Sequence, residues 1–438
     1  MTRSRGLSRR HVLGRMLLPL GACLIAGPIA GCASETGPLR VAVAWSGREL
    51  AAFRKVLDAF AAQPFGVATQ LVPMGDDIAA ALGPRPVGAP DVVLVPQPGL
   101  IRANVVAGRL LPLPFDEDVV PDAWRSVVSV DRRPYGLPFK VAHKSCVWYR
   151  RQAFDDLGED VPGTWGEWIA LNNRLINHGL TPLALGASDG WVLTDFFENV
   201  LLSVDAAAYR RMAQAGIGWT SAGVQEALRR LGRLWGTPRA LAGGVDAALA
   251  TQHDDAVLDV FARNAALMVA GSDFVYSLID EHGPMNAGGR WDWDFFPFPS
   301  AESGEAPPLV VGGDVAVVTA QAPPSALALV EWLAGGAAAR IWAGEGGFLS
   351  LQQDLPDAGY RHPILAGLAK EIREVDGDLN FDLSDHIGAL GGRLGSELQR
   401  FLRDVQGAQQ DRIARLASAM GERMSRPMHG AGAPVGRP

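Results

Sequence analysis

The 438-residue chain is poor in lysine, which occurs only at Lys55, Lys140, Lys144 and Lys370, and its formal net charge is -7. That balance leaves no basic face for nucleic acid, so no nucleic-acid partner is expected. Cysteine is equally scarce, with Cys23, Cys32 and Cys146 as the full set. A mature chain beginning at Cys32 would keep Cys146 as its one unmodified thiol, which excludes an internal disulfide and leaves stability to the core. Past the N-terminal segment no stretch is long and apolar enough to be a membrane-spanning helix, which takes ~20 nearly unbroken apolar residues. A His-Glu-x-x-His metal motif is also missing, and no catalytic residue, metal or cofactor is expected. Scattered carboxylates can still imitate a glycosidase pair, and an exported glycan-acting hydrolase stands as an alternative beside a surface adhesin or structural lipoprotein.

What is present begins with an address. Arg3, Arg5, Arg9 and Arg10 precede an apolar run from about Val12 to Ile29, interrupted by Arg15, Pro19 and Pro28, which reads as an export signal over residues 1–31. Within it Ser8-Arg9-Arg10-His11-Val12-Leu13 resembles the twin-arginine motif. Ile29-Ala30-Gly31-Cys32 resembles a lipobox, in which the Cys32 thiol becomes the lipid attachment point. Residues 32–38 then read as a linker.

Cores stop growing near ~250–300 residues, so the remaining chain is expected to form two lobes. Leu39 to Trp45 alternates as a strand, Ser46-Gly47 breaks it, and Leu50, Phe53, Leu57 and Phe60 recur at helical spacing. A second strand near Ala68 to Pro73, a helix near Asp76 to Leu82 and the buried run Asp91 to Val95 extend an α/β pattern with a parallel sheet. Tyr135 to Lys140 leads into a β-like run from Ser145 to Tyr149, and Thr164 with Glu167 has capping-box spacing ahead of Trp168, Leu171 and Leu175. Helical spacing returns from Trp191 to Leu202 and from Val224 to Trp235, while the Pro- and Gly-rich tail 425–438 is expected to be disordered.

Several segments together resemble the family 1 extracellular solute-binding proteins, the carbohydrate group related to maltose- and alpha-glucoside-binding proteins. They are Tyr135-Gly136-Leu137-Pro138-Phe139-Lys140 with Lys144-Ser145 and Val147-Trp148-Tyr149; Thr164-Trp165-Gly166-Glu167; Asp195-Phe196-Phe197-Glu198-Asn199; Gly312-Gly313-Asp314-Val315-Ala316; and Ile341-Trp342-Ala343 with Gly346-Gly347-Phe348-Leu349-Ser350. The resemblance implies an α/β, two-lobed periplasmic-binding-protein-like fold of type II, each lobe discontinuous, with a ligand cleft between them. Crossings are expected near Phe139-Lys140, Trp291 to Asp294 and Gly346, giving lobe 1 as 39–139 plus 294–346 and lobe 2 as 140–293 plus 347–424. It further implies a monomeric, lipid-anchored binding component on the extracytoplasmic face, handing a carbohydrate to ABC permease subunits and, through them, serving their ATPase.

A pyranose needs aromatic faces for its C–H groups and carboxylates, amides or cations for its hydroxyls. Trp45 and Ser46 end the first strand, where open α/β sheets place ligands. Asp76 and Asp77 are either helix caps or cleft carboxylates. Lys140 and His143 flank a proposed crossing. Trp191 and Asp195 share a helical face, and the resemblance tips both toward the ligand. Asp273 stands with Phe274 where the family often presents a tryptophan. Gly313 allows close backbone approach with Asp314 as an acceptor, and Phe348 is either a platform or packing. Several aspartates would tolerate an amino sugar, and Lys140 with His143 would suit a glycerol-phosphate diester or sugar phosphate.

Overall fold

A computed structural model describes residues 37–83, 89–115, 120–215, 218–283, 292–352, 355–375, 379–383, 387 and 389–426. The export signal, Cys32, Trp291 and the tail from residue 427 lie outside these residues. The first strand, β1 (Leu39–Val43), runs into helix α1 (Gly47–Ala61), whose Phe53, Val56, Leu57 and Phe60 are buried on one stripe. Each such side chain contributes roughly 1.5–3 kcal/mol on burial, which fixes the helix against the sheet.

Strand β1 lies between β2 (Thr69–Pro73) and β3 (Val92–Val95), both parallel to it. The expected parallel core is thus present, but the sheet is mixed. Strand β4 (Gly136–His143) pairs antiparallel with the long, wholly buried β9 (Val310–Val318), which also pairs antiparallel with β3 and parallel with the short β10 (Asn380–Phe381). A second sheet is built from β5 (Cys146–Tyr149), β6 (Leu183–Ala184), β7 (Met268–Ala270) and β8 (Asp294–Pro297), in the order β8-β5-β7-β6. Around it pack α2 (Trp165–Asn177), α3 (Trp191–Val204), α4 (Ala222–Gly236), α8 (Ala389–Asp404) and α9 (Gln410–Met424).

The strand pairing sets the passages between sheets, and they differ from the sequence reading. β4 stays in the first sheet through His143, so the first passage is Lys144-Ser145 and not Phe139-Lys140. β8 hydrogen-bonds β5 in the second sheet, which moves the second passage from 291–294 to 298–309. Phe348 and the helix α7 (Pro363–Arg373) pack with the first sheet, and β10 joins β9, so the third passage follows Phe381 and not Gly346. The helix expected near Asp76 is a 3-10 turn, Gly75–Leu82.

The capping box forms as the spacing requires. Thr164 Oγ1 accepts from the Glu167 N–H at 3.2 Å, and Glu167 Oε2 accepts from the Thr164 N–H at 3.0 Å. Since this cap is exposed and far from any cavity, Thr164→Ala is expected to cost about 1 kcal/mol in urea unfolding. Ligand affinity should stay unchanged in the same variant.

Candidate functional site

The C-terminal ends of parallel strands leave a crevice, and the structure opens a cavity of about 370 Å³ there. From the first sheet it is lined by Ala44, Gly75, Pro96 and Gln97, and from the opposite side by Ser188, Asp189, Trp191 and Thr194 at the start of α3. Ser396 and Gln399 of α8 complete the rim. Among the described residues no lysine or arginine lines it. Gly190, at φ 78°, lets the start of α3 approach Gly395 of α8, where a Cβ would stand 3.3 Å from the Gly395 Cα. Gln399 fastens that approach by donating to the carbonyls of Ala187 and Ser188, both at 2.8 Å.

Beside this cavity lies a buried ionic cluster. Lys140 Nζ, 5% exposed, meets Glu49 Oε1 at 2.6 Å and sits 5.8–5.9 Å from the ring centres of Trp45, Phe274 and Trp342. Trp45 donates its indole N–H to Asp314 Oδ2 at 3.2 Å, and Asp273 Oδ1 accepts from the His143 N–H at 2.8 Å. Burial opposes the Lys140 charge, yet Glu49, Asp314 and Asp273 outweigh it and hold the ammonium above the usual lysine range. Burial lifts Asp314 and Asp273 each to about 6, with Lys140 acting against the rise. Phe274 and His253 stand 6.0 and 4.9 Å from the Trp191 ring, so an aromatic wall runs from the ionic cluster to the cavity. Burial keeps His253 neutral, with its pKa lowered to about 4.

The predicted residues therefore separate into groups. Trp45, Lys140, Asp273 and Asp314 come together, although the Trp45 ring is 6% exposed and packed edge-on against Phe53 and Trp342. Trp191 lines the cavity. Asp195 turns to Lys144 Nζ at 3.3 Å, while Lys144 also pairs with Asp382. His143 is 2% exposed with Nε2 3.3 Å from Glu371 Oε2 and Nδ1 3.3 Å from Cys146 Sγ. Gly313 admits protein backbone and no ligand, since a Cβ there would lie 2.4 Å from the Lys140 carbonyl oxygen. Phe348 is fully buried, stacked on Trp342 at 5.2 Å and against Phe139, which leaves no ring face for a sugar. Ser46 and Asp77 are exposed near strand ends, and Ser46 makes no capping bond. Asp76 lies in the turn Gly75–Leu82, with its side chain outside the described residues.

Sequence reasoning missed Glu49, Gln97, Ser188, Asp189, Thr194, Ser396 and Gln399. Only Glu49 carried a signal, as the acidic residue in the first turn of the helix after β1. Among the described residues no group of three or more His, Cys, Asp or Glu is placed to hold a metal ion.

The raised carboxylates have a consequence for stability. A folded-state Asp314 pKa near 6 means the folded protein holds a proton that the unfolded chain has released, so this group's contribution is lost as pH rises from about 4 to about 6. The stability of wild type relative to Asp314→Asn is expected to fall across that window by at most about 3 kcal/mol. Urea unfolding of both proteins between pH 4 and pH 7 measures it.

No protein-family model matches the chain. Individual proteins do. The osmoprotective compounds-binding protein GgtB of Synechocystis is 30% identical over 344 residues, covering 73% of this chain and 78% of the relative. The alpha-glucosides-binding periplasmic protein AglE of Rhizobium meliloti is 27% identical over 327 residues, covering 70% and 69%. Among solved structures, the bacterial solute receptor AcbH, described as preferring β-D-galactopyranose, superposes with a TM-score of 0.74 at 18% identity over 89% of this chain and 98% of its own. A maltose-bound MalE3 of T. maritima superposes at 0.67 and 16% identity over 88% and 99%. The fold is accordingly the two-lobed type II periplasmic-binding fold. The chain belongs to the extracytoplasmic sugar-binding proteins of ABC transporters.

Proposed function

We propose that the protein captures an uncharged mono- or disaccharide, or an amino sugar, in the interlobe cleft and delivers it to an ABC permease. The lining of the cavity carries this reading: Trp191 offers an indole to a sugar face, while Gln97, Ser188, Thr194, Ser396 and Asp189 offer amide, hydroxyl and carboxylate partners to its rim. Asp189 is also the acceptor for the ammonium of an amino sugar. A phosphorylated solute fits less well, because it needs an available cation. Lys140 is held by Glu49, and His143 lies against Glu371.

Lobe boundaries follow the strands in this proposal: 39–143 with 310–382 form one lobe, and 146–297 with 383–424 the other. Sugar binds the closed form better and shifts the population toward it. Cys32 carries the lipid, and the anchored monomer stays close to its permease at high effective concentration. No turnover accompanies binding in this reading.

A thermal-shift panel of neutral mono- and disaccharides, amino sugars and sugar phosphates on the purified protein tests the ligand class. A saccharide at one hundred times its Kd is expected to add about 2.7 kcal/mol of stability, and Trp191→Ala to weaken its binding about tenfold. A shift from phosphorylated solutes alone would overturn the assignment, as would hydrolysis of any saccharide. Cys32→Ser is expected to move the protein from the membrane fraction to the soluble one.

A further inference from the structure

The body of α3 lies against all three passages between the lobes. Asp195 pairs with Lys144 of the first passage, and Lys144 pairs with Asp382 of the third. Glu198 Oε2 accepts from the Leu383 N–H at 2.9 Å, just beyond Asp382. Asn199 donates to the Lys144 carbonyl at 3.0 Å and accepts from the Ser145 hydroxyl, which in turn accepts at 2.9 Å from the N–H of Val310, where the second passage enters β9. Asp195, Glu198 and Asn199 stand four, seven and eight positions after Trp191, so they share its face of the helix. The same helix thus meets the sugar cavity at its first turn and the hinge along its body.

These residues do not line the 370 Å³ cavity. Lys144, Asp195 and Asn199 border a void of about 10 Å³ beneath Trp191, too small for any sugar. Their effect on a ligand must therefore pass through the helix. A buried polar network of this kind does not deform gradually, because a shift of a fraction of an ångström breaks its hydrogen bonds and leaves charges unpaired. Such networks favour discrete arrangements over graded ones, as a two-state hinge requires.

Building on the carbohydrate-binding reading above, we propose that α3 couples the cleft to the hinge, with Lys144, Asp195, Glu198 and Asn199 as positioning residues that favour the closed form without touching sugar. Trp191 and Thr194 sense the ligand, and the Lys144-centred pairs hold the three passages in the register that closure needs. The network then sets affinity and the amplitude of closure together, whereas a residue that only contacts sugar sets affinity alone.

The test uses the full-length protein and the saccharide giving the largest thermal shift. Lys144→Met, Lys144→Arg, Asp195→Asn and Trp191→Ala are compared by calorimetric Kd, melting temperature and the sugar-induced fall in radius of gyration by small-angle scattering. Lys144→Met and Asp195→Asn are expected to weaken binding about tenfold and to reduce the compaction at saturating sugar. Lys144→Arg should restore both, and Trp191→Ala should lose affinity while still compacting at saturation. Should Lys144→Met not fold, the nearly isosteric Asp195→Asn carries the comparison. Wild-type affinity and compaction in Lys144→Met and Asp195→Asn would overturn the coupling and leave the binding function standing. Loss confined to Asp195→Asn would also overturn it, by making Asp195 a direct ligand contact. If wild type binds no saccharide, the functional reading falls, and the coupling with it.

Discussion

Three stretches of chain pass between the two sheets, and the buried pairing around Lys144 and Ser145 holds them side by side. Lys144 faces Asp195 and Asp382, and the Ser145 hydroxyl bridges Asn199 and the backbone of Val310. Burying such charges is costly unless each is paired. Here burial lifts Asp195 to about 7, with Lys144 opposing the rise and Asp382 adding to it. Burial, Asp382 and Asp195 push Glu198 well above the usual carboxylate range. One ammonium thus stands among three acids.

The cleft follows a related rule with a different outcome. Its basic side chains are spent on the protein itself: Lys140 on Glu49 and the aromatic rings, Lys144 on Asp195 and Asp382. The cavity keeps hydroxyls, amides, one tryptophan and the Asp189 carboxylate. In a chain with so few lysines, committing two of them within five residues fixes architecture and leaves recognition to hydrogen bonds and stacking.

Local patterns in the sequence were legible where one segment suffices to specify them. The alternation of Leu39 to Val43, the stripe Phe53, Leu57 and Phe60, and the Thr164 and Glu167 cap all formed where spacing placed them. Trp191 was identified as a ligand candidate and lines the cavity. By contrast, Phe348 and Gly313 carried signals that ligand sites and cores share, and packing against Trp342 and Lys140 decided between them. The passages were misplaced because strand pairing, which assigns Asp294–Pro297 to the second sheet and Asn380–Phe381 to the first, joins residues more than a hundred positions apart or about seventy apart.

By itself, then, the sequence determined the elements, the α/β class, the family and the scarcity of lysine, since each depends on residue type and near-neighbour spacing. Only the tertiary structure decided which acid each lysine meets. It alone brought Gln97, Thr194 and Ser396 to one cavity and laid α3 across three distant crossings. Those outcomes depend on long-range packing and on pairing charges out of water, and no local spacing encodes them.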